Sequence, residues 1–112
     1  MTEDKLQSLL VRAFYKRFTN KAIIIHIPNQ RRSSAMNWRI LEAMGAVAGI
    51  PDLLLLVPGR EPVFVEVKTS TGKLSDNQVL THKRLTSLGY GVYTVRDVDG
   101  FEAVLDKIEM GK

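Results

Sequence analysis

The 112-residue sequence contains no cysteine. That excludes disulfides, thiolate zinc sites, iron–sulfur clusters and cysteine nucleophiles together, and it fits a reducing compartment. Histidine is represented only by His26 and His82, too few for a histidine-rich zinc centre. No uncharged apolar run approaches the ~18 residues that span a bilayer. The opening Met-Thr-Glu-Asp is acidic where a secretory leader is basic. The sequence also lacks repeats, low-complexity segments and linkers. The expectation is a soluble cytoplasmic protein with no membrane association, folded as one domain over residues 1–112.

What is present is unevenly distributed. Residues 1–50 carry eight Lys/Arg against three Asp/Glu, whereas residues 51–112 carry eight against nine, giving +5 and −1 and a net charge of +4. A basic N-terminal half suits a polyanionic partner, nucleic acid first, and equally suits a solvated basic surface. The acidic residues of the second half then need a local explanation.

Leu6, Leu9, Leu10, Ala13, Phe14 and Phe18 follow helical spacing, which predicts an amphipathic helix over 3–18. Residues 23–27 are a β-branched run stopped by Pro28, hence a strand. A polar basic loop over 29–34 precedes a short helix, capped by Ser33 or Ser34, with Ile40, Leu41 and Met44 inward and Gly45 ending it. Residues 52–57 form a nearly unbroken apolar run of strand length, which predicts that both faces are covered. Turn chemistry over 58–62 leads to a second strand over 63–68. Then come a polar loop, a helix at about 76–88, a strand over 92–95, and a last helix for which Asp99 and Glu102 make a capping-box pattern. Phe101, Val104, Leu105 and Ile108 are its inner face. The order predicts an α/β fold with a mixed sheet flanked by helices.

The two central strands hold the unusual polar residues. Glu66 and Lys68 project from one face of a strand that is otherwise apolar. If 57 and 63 pair across the turn, Asp52 lies opposite Lys68 and diagonal to Glu66, and any even register sum keeps the three on one face. Such groups, when buried, must pair or bind an ion. Two hard carboxylates at a strand end suit Mg²⁺ or Mn²⁺, and a divalent ion beside a lysine suits phosphodiester hydrolysis; an ion pair at a sheet end is the alternative. An acidic-x-Lys triplet is expected about 0.8 times by chance in this composition. It occurs twice, at Glu3 and Glu66, so the weight rests on context: Pro51-Asp52 opening one apolar strand and Glu66-Val67-Lys68 closing the next. The stretch Ser70-Thr-Gly-Lys73 lacks both the first glycine and the final Ser/Thr of a phosphate-binding loop, so no nucleotide cofactor is expected.

Taken together, Gly49-Ile50-Pro51-Asp52, Glu66-Val67-Lys68 and Leu74-Ser75-Asp76-Asn77-Gln78, followed by Leu85 and Gly89, resemble the VRR-NUC family of the PD-(D/E)xK nuclease superfamily. The resemblance implies a restriction-endonuclease-like αβββαβ core. It implies Asp52, Glu66 and the Val67 carbonyl as metal ligands with Glu3 nearby, Lys68 as the catalytic lysine, and Gln78 as a residue that helps order the site. Asn29, Arg31, Arg32 and Lys73 are the DNA-contacting candidates. Gln78 is equally explained as the end of a capping box, Glu3 as a helix-dipole partner, and Asn29 as a turn former. His82, one turn past Gln78, is expected at an exposed helix position, with DNA or the sheet as the alternative reach, and Trp38 in the core, with a dimer anchor as the alternative. The small stand-alone members resemble metal-dependent, structure-selective endonucleases that act as homodimers on branched DNA, including Holliday-junction resolvases of phage or prophage origin. That implies Mg²⁺ or Mn²⁺ as cofactor, four-way-junction DNA as partner, and the cytoplasm of a bacterial or phage-infected cell. A catalytically silent DNA-binding module of the same fold, and a nuclease with little structure preference, are the alternatives.

Overall fold

The computed structural model describes residues 1–28 and 34–111. The elements in chain order are α1 (Glu3–Phe18), β1 (Ile23–His26), α2 (Ala35–Ala43), β2 (Leu53–Leu56), β3 (Val63–Val67), α3 (Asp76–Ser87), β4 (Gly91–Val95) and α4 (Val98–Glu109). The four strands form one sheet in the order β1-β2-β3-β4. The first two pairings are antiparallel and β3–β4 is parallel. The parallel pair needs a crossover, and α3 supplies it. The expected mixed sheet flanked by helices is therefore the fold.

Alternation along the strands divides the sheet into two unlike faces. Ile24, Leu53, Leu55, Val65, Val67 and Val95 are buried in one cluster with Leu6, Leu10 and Phe14 of α1 and Phe101, Val104, Leu105 and Ile108 of α4. Arg17 ties those two helices together through Glu102, Asp106 and Glu109. The opposite face carries Phe64 and Glu66, and α3 lies against it, as its contacts with Glu66 show. Among the described residues that face is not fully covered: Leu54 and Leu56 are half-buried, and Ile23 and Ile25 on the edge strand are exposed. The expectation that both faces of the 52–57 strand are covered is thus corrected. An unbroken apolar run does not report how much of the sheet the crossover helix spans.

Three further expectations change. In α2 and its C-cap, Ile40 and Met44 are exposed and Leu41 is half-buried, while Trp38 is the buried residue. The indole, with the largest apolar surface on the helix, sets which side turns inward. The last helix is capped by Asp97, whose carboxylate accepts from the Gly100 N–H at 2.7 Å, and not by Asp99. The hairpin register pairs Leu55 with Val63 and Leu53 with Val65, a shift of two residues from the expected pairing. Pro62 has no N–H to extend the ladder, and the Arg60 N–H closes a turn onto the Val57 carbonyl at 3.1 Å. The even shift keeps every side chain on its expected face but moves Asp52 from opposite Lys68 to opposite Glu66.

Among the described residues no helix is long and apolar enough to cross a membrane.

Candidate active site

Four polar side chains are buried among the described residues: Asp52, Glu66, Lys68 and Thr81. The first three gather at one end of the sheet, where β2 begins, β3 ends and α3 starts. Asp52 sits one residue before β2 and Lys68 one residue after β3, so the strand ends themselves set their spacing. The Lys68 N–H continues the parallel ladder by donating to the Val95 carbonyl at 3.0 Å. The Val67 N–H donates to Asp52 Oδ2 at 2.8 Å. A residue's N–H and C=O leave an extended strand on the same side, so the Val67 carbonyl is also directed toward the Asp52 side.

Glu66 is 1% exposed. Lys68 Nζ lies 4.0 Å from its Oε2, Gln78 Nε2 donates to Oε2 at 3.3 Å, and His82 Nε2 is 3.3 Å from Oε1. Burial, then a hydrogen bond with Asp52 and the Asp52 charge, push the Glu66 carboxyl up from 4.5 to about 9, against the opposing pull of Lys68. Burial also lowers the His82 pKa, reinforced by the Lys68 charge and opposed by Asp52.

The approach of α3 to the sheet is enforced by the turn before β2. Gly49 has φ +78°, and a Cβ there would stand 2.2 Å from the Asn77 carbonyl oxygen and 2.7 Å from the Gln78 nitrogen. Only glycine satisfies both the left-handed backbone and the contact with the first turn of α3. One turn along, the Thr81 hydroxyl donates to the Ala48 carbonyl at 2.6 Å. The helix that carries Gln78 and His82 is thereby fixed against the segment leading to Asp52.

The sequence-derived candidates divide by place. Asp52, Glu66, Lys68 and Gln78 come together. Glu3 approaches from α1: a Cβ on Gly72 would lie 3.4 Å from Lys68 Cδ and 3.6 Å from Glu3 Oε2, and the Glu3 charge acts on Glu66. Lys73 is exposed on the turn that follows Lys68. Arg96 braces that turn by donating to the Thr69 and Gly72 carbonyls, each at 2.7 Å. Asn29, Arg31 and Arg32 lie outside the described residues. His82 was expected at an exposed position; its side chain is instead 12% exposed and against Glu66. The available signal was its spacing, four residues past Gln78 and so on the same helix face. Gly49 stood in the Gly-Ile-Pro-Asp motif without a sign of its contact with α3, and Thr81 carried no mark at all.

A family model described as the VRR-NUC domain matches residues 1–98. The chain belongs to the VRR-NUC family. Nuclease-type function and DNA as substrate follow from that membership. Two solved structures share the fold. One described as a VRR_NUC domain protein superposes with a TM-score of 0.80 at 18% identity, over 99% of this chain and 90% of that one. Another described as a VRR_NUC domain gives a TM-score of 0.63 at 21% identity, over 93% and 94%. No curated protein matches. Nearly all of α4 lies beyond the VRR-NUC match, yet it supplies four buried residues of the core.

Proposed function

We propose that the chain is a Mg²⁺- or Mn²⁺-dependent endonuclease that cuts branched DNA, a Holliday-junction resolvase working as a homodimer. The observation that carries this reading is the burial of Asp52, Glu66 and Lys68 at a single end of the sheet. Two carboxylates that share a hydrogen bond, one of them holding its proton up to about pH 9, form a site short of positive charge. A divalent cation would supply it. Asp52, Glu66 and the Val67 carbonyl are the groups that would hold the ion, with Glu3 near. Among the described residues no group of three or more His, Asp or Glu side chains gathers around one point. A site of two carboxylates and a carbonyl would leave its remaining positions to water and phosphate, as Mg²⁺ and Mn²⁺ prefer. When bound, the ion supplies a more acidic water and offsets phosphate charge.

The protein's own groups do the rest. Asp52 is oriented by the Val67 N–H, Gln78 steadies Glu66, and Lys68 brings an ammonium to the attacked phosphate. Lys73, together with Asn29, Arg31 and Arg32, would meet the DNA backbone. The branched substrate rests on the resemblance to small structure-selective family members. The homodimer rests on the need for two related sites to cut two symmetric strands. It is supported by Met36 and Ile40 of α2 and Met44 at its C-cap, an exposed apolar stripe at helical spacing.

The experiment is cleavage of a Holliday junction, a flap, a plain duplex and a single strand, each with Mg²⁺, Mn²⁺, Ca²⁺ or EDTA. Paired, metal-dependent incisions confined to the junction are expected. Equal cutting of all four substrates would remove the resolvase assignment, and binding without cutting in any metal would make the chain a DNA-binding module.

A further inference from the structure

Glu66 has two oxygens, and α3 reaches both. Gln78 Nε2 donates to Oε2 at 3.3 Å, while His82 Nε2 stands 3.3 Å from Oε1. The two residues are four apart and project from one helix face. His82 is the unexpected member, because α3 is otherwise a largely exposed helix whose Leu80 is 60% exposed, whereas the His82 side chain is 12% exposed. It therefore faces the carboxylate and not open solvent. Its backbone has little freedom to drift. The adjacent Thr81 is buried and bonded to the Ala48 carbonyl at 2.6 Å, and the first turn of the helix rests on Gly49. An imidazole held in this way constrains the rotation of the carboxylate about its terminal bond, a torsion that is otherwise broad.

We infer that His82 is a positioning residue: its Nε2–H donates to Glu66 Oε1 and holds the carboxylate in the orientation in which it meets the divalent cation. This deepens the metal-dependent reading above and rests on it. Groups that hydrogen-bond a metal-ligating carboxylate fix its lone pairs before the ion arrives, and their loss weakens metal binding even though they never touch the metal. His82 is accordingly distinct from Gln78, whose Oε1 is committed to the Ser75 N–H at 2.9 Å. One member of the pair belongs to the helix cap as well as the site, and the other to the site alone.

The test is direct binding of Mn²⁺ by the metal-free protein, followed through the electron paramagnetic resonance signal of free Mn²⁺ with no DNA present. Wild type is compared with Glu66→Ala, His82→Ala, His82→Gln and Leu80→Ala, and each variant is checked by thermal melting. The expected result is binding by wild type and Leu80→Ala, none by Glu66→Ala, and a loss of affinity of about 10-fold or more in His82→Ala. His82→Gln, which restores an N–H at similar reach, should recover most of that loss. Wild-type affinity in His82→Ala, with Glu66→Ala still inactive in binding, would overturn the inference and leave the metal site standing. Equal losses in the Ala and Gln variants, with matching falls in melting temperature, would also overturn it, since packing alone would then explain them. Absence of Mn²⁺ binding by wild type would overturn the metal-dependent reading and this inference together, and that result is read from the wild-type arm alone.

Discussion

A glutamic acid that is 1% exposed beside a second carboxylate keeps its proton where an exposed one would release it. Glu66 titrates near 9 in the folded protein against an ordinary 4.5. Between those values the native state binds a proton that the unfolded chain releases, so stability falls as pH rises. In EDTA, the wild-type melting temperature is expected to drop between pH 5 and pH 9 by more than about 5 °C beyond that of Glu66→Gln. The amide mimics the neutral acid and removes this contribution. Thermal melts of both proteins across that range check it, and parallel slopes would mean that Glu66 is ionised throughout. At this scale the sequence was informative because charge is rare in apolar strands: Asp52, Glu66 and Lys68 stand out in runs of Leu and Val. His82 was only half legible as a site residue: its spacing puts it on the helix face of Gln78, but a histidine on a polar helix carries no mark of whether that face meets the sheet. Gly49 was visible as part of a motif, but its contact with Asn77 depends on a helix that begins 27 residues later.

Among the elements, α3 most directly joins fold to function. Ser75 Oγ accepts from the Gln78 N–H at 3.2 Å, and Gln78 Oε1 accepts from the Ser75 N–H at 2.9 Å, a complete capping box. The remaining amide nitrogen of the same side chain donates to Glu66. Both interpretations open to Gln78 from sequence are therefore present in one residue. Ser75→Ala and Gln78→Ala should each destabilise the protein by about 1 kcal/mol in urea unfolding. Only Gln78→Ala should also slow cleavage, by about 10-fold. Equal cleavage rates for the two variants would reduce Gln78 to a cap. Periodicity located α1 and α4 because each has an apolar stripe facing the core, whereas α3, a polar helix, was bounded by its Ser75–Gln78 cap pattern and by Gly89. Periodicity misdirected α2, where a regular stripe of Met36, Ile40 and Met44 faces outward. Spacing identifies a face, not the direction in which it points.

For the molecule as a whole, one sheet face is closed by α1 and α4, and the other is left partly open around α3, β1 and β2. Met36, Ile40 and Met44 add an exposed apolar stripe along α2 and its C-cap. A dimer is expected at micromolar concentration in light scattering, and the double variant Met36→Glu/Ile40→Glu is expected to be a folded monomer. A monomeric wild type would remove the dimer from the proposal, and a dimeric double variant would place the interface elsewhere. The fold class was legible at this scale because element order alone implies a crossover and hence a parallel pair. The open face was not, because an apolar run cannot distinguish a strand that its helices cover on both sides from one that they leave half-buried. The most direct measurement is the rate of junction cleavage in Mn²⁺ by wild type and by Lys68→Ala at matched DNA binding. Wild type should make paired incisions, and Lys68→Ala should bind the junction but cut it slower by about 10²-fold or more. A Lys68→Ala protein that cuts at the wild-type rate would show that the buried cluster of Asp52, Glu66 and Lys68 is not where the DNA is cleaved.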